Sequence, residues 1–193
     1  DIRDYVIALY SHDNLDLLTN KLAKLLTDVL KEPKKFIGNI KDKNVRKIFV
    51  SYSHNDIKYL NRLKVHIKPL ERNNYVELWS DTLIQSGDKW EKKIGTALNE
   101  ASIAILLISA DFIASDFIVN NELQPLLKNA EDKGTIILPV IVKPCRFLRE
   151  PSISQFQSIN NPAEPLCKLN EYEQEDIYEL ISQRIELALQ DFK

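Results

Sequence analysis

The chain has 193 residues, enough for one ordinary domain with length to spare. Its 26 Lys and Arg stand against 28 Asp and Glu, a formal net charge of -2 that argues against a dedicated nucleic-acid binder. No apolar run approaches the roughly 20 residues that cross a bilayer, so neither nucleic acid nor membrane is expected as a direct partner. Cys145 and Cys167 make neither a disulfide framework nor a metal cluster, and they read as reduced thiols of a cytoplasmic protein. Methionine is absent and the chain starts at Asp1, which reads as a piece of a longer protein.

Residues 1–44 read as a helical N-terminal segment and linker, the end of a larger or regulatory domain. Tyr5 to Tyr10 is a short apolar stretch of helical character. From Asn14 to Leu30, the leucines at 15, 18, 22, 25, 26 and 30 recur at spacings that form one helical stripe. Such helices do not bury a stripe alone. They call for the following domain, an upstream domain or a partner chain. Lys31 to Asn44 reads as a connector.

Residues 45–193 alternate strand-like and helix-like segments. Lys47 to Tyr52 is β-branched and aromatic, a buried strand. Ser53 and Asp56 are spaced as a capping box before a helix with Ile57, Leu60, Leu63, Ile67 and Leu70 on one face. Pro69 is expected to end or bend that helix, and Asn73-Asn74 to turn the chain into a second strand, Val76 to Trp79. A polar loop leads to a helix with Trp90, Ile94, Ala97, Leu98 and Ala101 inward. Ile103 to Ile108 is the third strand. Asp116 to Asn129 is helical, with Val119, Leu123, Leu126 and Leu127 inward. Thr135 to Val142 is the fourth strand, whose Pro139 suggests an edge or a bulge. Pro165 to Leu169 is a short fifth, and a helix from Glu173 to Phe192 closes the chain.

Strands without polar alternation are buried on both faces. Alternation with amphipathic helices makes right-handed crossovers and a parallel sheet. The expected fold is therefore α/β: a flavodoxin-like five-stranded parallel sheet in the order 2-1-3-4-5, with helices on both faces. Its switch point lies between strands 1 and 3, where ligands bind at the carboxyl ends.

Several chemistries are set aside. With only four glycines, the chain carries neither G-x-G-x-x-G nor G-x-x-x-x-G-K-[ST]. The strand ends hold Ser51, Ser53 and Ser109 where a phospho-acceptor site would want acids. His12, His54 and His66 have no partners at metal spacing, so no metal and no resident cofactor is expected. The switch point directs attention to Ser51–His54 and to Ser109–Leu123. Within the second stretch, Glu122 borders an apolar helix stripe beside the crevice. From spacing alone it is either a working carboxylate or a solvated helix glutamate.

Three stretches in order, RKIFVSYSHND, LWSDTLIQSGDKWEKKI and AILLISADFIASDFIVNNEL, resemble the TIR (Toll/interleukin-1 receptor) domain, especially its bacterial branch. The resemblance spans Val45 to Phe192. It implies an NAD nucleosidase that cleaves the nicotinamide–ribose bond to give nicotinamide and ADP-ribose or a cyclic isomer. The implied role is an effector or signal generator in bacterial antiviral defence, activated by self-association. NAD is then the substrate, not a cofactor. By the same resemblance Glu122 is catalytic. Tyr52, Ser53 and His54 after the first strand contact NAD, together with Asp81 after the second, Trp90 closing the BB loop, and the Phe117–Ile118 pair. Many relatives carry Trp where Ile118 stands, and Phe117 beside it is a substitute aromatic wall. Tyr52 and Trp90 either stack on a substrate ring or pack locally. The loop from Thr82 to Lys89 is the implied self-association surface, and residues 1–44 the link to an upstream sensor. The resemblance leaves two alternatives: a non-catalytic scaffold signalling by homotypic TIR–TIR contact, and a nucleoside-processing relative. A helix start near Glu122 is expected to favour its ionised form.

Overall fold

The computed structural model of the protein describes residues 45–83 and 90–191. The expected N-terminal helices of residues 1–44, most of the loop from Thr82 to Lys89, and Phe192 lie outside the described residues.

Strand β1 (Arg46–Tyr52) is followed by a turn of 3-10 helix (His54–Asp56) and helix α1 (Ile57–Arg72). Then come β2 (Val76–Trp79), α2 (Trp90–Glu100), β3 (Ala101–Ile108) and the single turn α3 (Ala110–Ile113). A π-helical turn (Ile118–Leu123) runs into α4 (Gln124–Lys133), followed by β4 (Ile136–Ile141), the short α5 (Pro151–Ser154) and α6 (Glu171–Asp191). Gly134, with φ 74°, ends α4 in the left-handed conformation that glycine adopts without a Cβ penalty.

The sheet is parallel throughout, in the order β2-β1-β3-β4. It has four strands among the described residues, not five. The expected fifth strand at Pro165 to Leu169 is instead a 3-10 turn (Leu166–Lys168). The reason lies at the outer edge of β4, which other groups already occupy. The Asn160 side chain accepts from Ile141 N–H at 2.9 Å and donates back to Ile141 C=O at 3.0 Å, while Ile159 N–H reaches Pro139 C=O at 2.8 Å. A single bond, Cys167 N–H to Val142 C=O at 3.0 Å, ties the later segment to the strand. Pro139 has the same parity as Ile141, so its missing N–H falls on this outer edge and no strand-to-strand bond is lost.

Side-chain alternation divides the core in two. Ile48, Val50, Ile105 and Leu107 pack with Leu60, Leu63 and Ile67 of α1 and with Tyr178, Ile181 and Ile185 of α6. On the other face, Phe49, Ala104, Leu106 and Ile108 pack with Ile94 and Leu98 of α2 and with Ile118, Leu123 and Leu126. Helices thus cover both faces, as expected.

Four local expectations need correction. Ser53 makes no side-chain cap, because Asp56 turns inward to Ser109 and Lys143. Ile57 is exposed, lying before the buried stripe of α1 begins. Pro69 does not end α1, which runs on to Arg72; the turn then comes at Asn73-Asn74 as expected, with φ 54° at Asn74. Ile118, not Val119, is the buried residue of its pair. The π turn has one residue more per turn than an α-helix, which shifts the phase of every position before it.

Candidate active site

The carboxyl ends of β1 and β2, the start of α2 and the π turn surround a cleft of about 490 Å³. Each strand end supplies polar groups because it is where the apolar run stops: Tyr52 ending β1 and Ser53 after it, Ser80 and Asp81 after β2, Ser109 after β3.

Glu122 enters the cleft from the π turn and is only 7% exposed. The turn has a local cause. Pro125 has no N–H for the carbonyl four residues back, and its ring would clash there in a regular helix. The chain widens instead, and Gln124 N–H bonds the Val119 carbonyl. Ser115 caps the start of this helix, its Oγ accepting from Ile118 N–H at 3.3 Å.

Ser51, on the same sheet face as Phe49, donates its hydroxyl to Glu122 Oε2 at 2.5 Å. Burial pushes the Glu122 carboxyl up to about 7; the Ser51 bond opposes this, the Asp81 charge adds to it and His54 opposes it. The expected helix-start effect therefore does not decide the charge of Glu122. The residue lies about two turns past Ser115, beyond the first turn in which the helix dipole acts.

Asp81 organises the other wall. Its Oδ1 accepts the Tyr52 hydroxyl at 2.6 Å, and its Oδ2 contacts His54 Nε2. Burial, then the Asp81 bond, raises the Tyr52 hydroxyl above the ordinary phenol range, so it stays a donor. Phe117 and Ile118 complete the lining. Seven sequence-identified residues are thus brought to one cleft: Tyr52, Ser53, His54, Asp81, Phe117, Ile118 and Glu122. Trp90 is the first residue of α2, and its side chain lies outside the described residues.

Sequence reasoning missed Asn55, Ile94 and Ser115 in the lining, and Ser51 as the partner of Glu122. The signal for Ser51 was present: a hydroxyl inside an otherwise apolar strand.

A second polar cluster braces the site from behind. Asp56, fully buried, accepts from Ser109 Oγ at 2.5 Å and lies 2.7 Å from Lys143 Nζ. Lys143 also reaches Asp111 at 3.1 Å, and Asn55 donates to Asp111 at 3.0 Å. The two carboxylates push the Lys143 ammonium up to about 12, Asp56 contributing more than Asp111. This network ties together the ends of β1, β3 and β4. A groove of about 480 Å³ also lies toward the amino ends of β1 and β2, where Lys47 pairs with Glu100 at 2.5 Å.

Compared with known proteins, residues 48–181 match the family model described as the TIR domain. The chain belongs to the TIR domain family. A protein of Sinorhizobium fredii (strain NBRC 101917 / NGR234), named "Uncharacterized protein y4lF", is 33% identical over 104 residues, which are 54% of this chain and 32% of that one. The chain thus spans about a third of that relative's length. Among solved structures, it is similar to the TIR domains of the activated Roq1 resistosome that directly recognizes the pathogen effector XopQ. That match has 18% identity and a TM-score of 0.40, over 76% of this chain and 82% of the other. In this TIR domain, no helix among the described residues is long and apolar enough to cross a membrane.

Proposed function

We propose that this TIR domain is an NAD nucleosidase that cleaves the nicotinamide–ribose bond and releases ADP-ribose or a cyclic isomer. The observation that carries the reading is the buried carboxyl of Glu122, held by Ser51 at the wall of a cleft of about 490 Å³. That volume falls within the roughly 300–1,000 Å³ of small-molecule sites.

The chemistry asks little of the protein. Nicotinamide in NAD is already a cationic leaving group, so its departure needs no acid. Positive charge then develops on the ribose, and one ionised carboxylate beside the sugar stabilises it. Because Glu122 is itself only 7% exposed, that single charge acts at lower dielectric than it would in solution. Glu122 supplies it, and Ser51 steadies the ionised form. Tyr52 and Phe117 are the aromatic surfaces for a substrate ring, and Ser53, His54 and Asp81 the polar contacts.

In the cell this activity belongs to an effector or signal generator of bacterial antiviral defence in the cytoplasm. Self-association through Thr82 to Lys89 activates it. Residues 1–44 couple the TIR domain, residues 45–193, to an upstream sensor.

The test is to incubate concentrated protein with NAD and follow nicotinamide by chromatography. Nicotinamide is expected, released more steeply than in proportion to protein concentration, and abolished by Glu122→Ala. Silence at high concentration, or equal turnover by the variant, leaves a scaffold that signals by homotypic contact.

A further inference from the structure

The nucleosidase reading accounts for bond cleavage and leaves a proton unassigned. When water attacks the anomeric carbon, its oxygen forms the new C–O bond and one proton must leave. Among the described residues lining the cleft, three side chains offer acceptors of the right kind: Glu122, Asp81 and His54. Both Asp81 oxygens are engaged, Oδ1 by Tyr52 at 2.6 Å and Oδ2 by His54. Glu122 already accepts from Ser51 through Oε2, and its charge is committed to the sugar cation.

His54 is arranged differently. Its side chain is 80% exposed, so its contact with Asp81 adds little to stability. Yet its partner is firmly held. Asp81 is anchored through Tyr52, a strand residue only 6% exposed, so the carboxylate presents a fixed oxygen to the imidazole. With the Asp81 carboxylate accepting, His54 donates through Nε2–H, and in the neutral ring Nδ1 is then the acceptor nitrogen. A carboxylate that fixes the tautomer and orientation of the ring is the arrangement that lets histidine act as a base.

From this geometry we infer that His54, oriented by Asp81, is the general base that deprotonates the acceptor water. The inference rests on the nucleosidase reading and adds its second half. The C–N bond breaks first, and its electron pair leaves with nicotinamide. The water oxygen then bonds the anomeric carbon while its proton passes to His54 Nδ1, and solvent later collects that proton.

The experiment uses competition between two acceptors. Water must lose a proton on attack, whereas 3-acetylpyridine attacks through a ring nitrogen that carries none. Wild type, His54→Gln and Asp81→Asn are each given saturating NAD with excess 3-acetylpyridine, and ADP-ribose is measured against the exchanged dinucleotide. Both products descend from one cation, so changes in NAD affinity or in cation formation cancel from the ratio. The ratio of hydrolysis to exchange is expected to fall roughly tenfold or more in each variant. The double variant should fall no further than His54→Gln, because the two residues act as a unit. An unchanged ratio in His54→Gln overturns the assignment while leaving the nucleosidase reading intact. No nicotinamide from the wild type defeats the nucleosidase reading itself. Should the wild type refuse the pyridine, hydrolysis alone decides. A slow His54→Ala rate restored by free imidazole supports the base, and a rate equal to wild type, or one that imidazole does not restore, overturns it.

Discussion

Replacing Glu122 with Gln separates the energetic burden of the site from its chemistry. In the fold, burial holds this carboxyl at about 7 against an ordinary 4.5. At roughly 1.36 kcal/mol per pH unit, this corresponds to about 3 kcal/mol. The sign follows from proton binding: between pH 4.5 and 7 the folded state holds a proton that the unfolded state has released. The stabilising contribution of the group is therefore fully present below pH 4.5 and is lost as the pH rises through 7. Glutamine mimics the protonated carboxyl and still accepts from Ser51. The assay is urea unfolding of wild type and Glu122→Gln from pH 4 to 8.5, taking the difference so that other titrating groups cancel. Near pH 4 the two should be alike. Above pH 7 the variant should be more stable by about 3 kcal/mol, a midpoint shift of roughly 1 M urea or more, while nicotinamide release is abolished. A difference that does not vary with pH, or a glutamine variant less stable at pH 8, would refute the claim that this carboxylate is ionised against the preference of its surroundings.

Two further predictions follow from the same geometry. Ser51→Ala removes the hydroxyl that favours ionised Glu122, so the carboxyl should titrate higher and the acid side of the pH–activity profile should move to higher pH; a profile that stays in place or moves down contradicts this. Asn160→Ala strips both partners from the buried backbone of Ile141 and should destabilise the domain by roughly 2–4 kcal/mol in urea unfolding, while a change under about 0.5 kcal/mol would show that this edge needs no cap.

Much of the site was legible because it sits where a strand must stop. Tyr52, Ser53 and Asp81 end apolar runs, and in a doubly wound sheet those ends converge at one crevice. Glu122 was legible only as one of two readings by spacing, and the motif resemblance favoured the catalytic one. Ser51 escaped because a one-dimensional pattern does not say which residue across the sheet a hydroxyl will meet. The fifth strand was misread because Pro165 to Leu169 has strand composition, and composition does not record that Asn160 already holds the edge of β4.

The sequence by itself determined the alternation of strand and helix, the parallel sheet between two helical layers, and the family to which the domain belongs. Hydrophobic period and strand length are local properties, and local properties survive in one dimension. Only the tertiary structure decided how acidic Glu122 is and which way the helix around it faces. Both depend on groups distant in the chain: the protein packed around a carboxyl that raises its pKa, the serine 71 residues away that opposes this, and the widened turn ahead of Pro125 that carries the acid into the cleft. Desolvation and close contact are properties of a three-dimensional neighbourhood, and no periodicity encodes them.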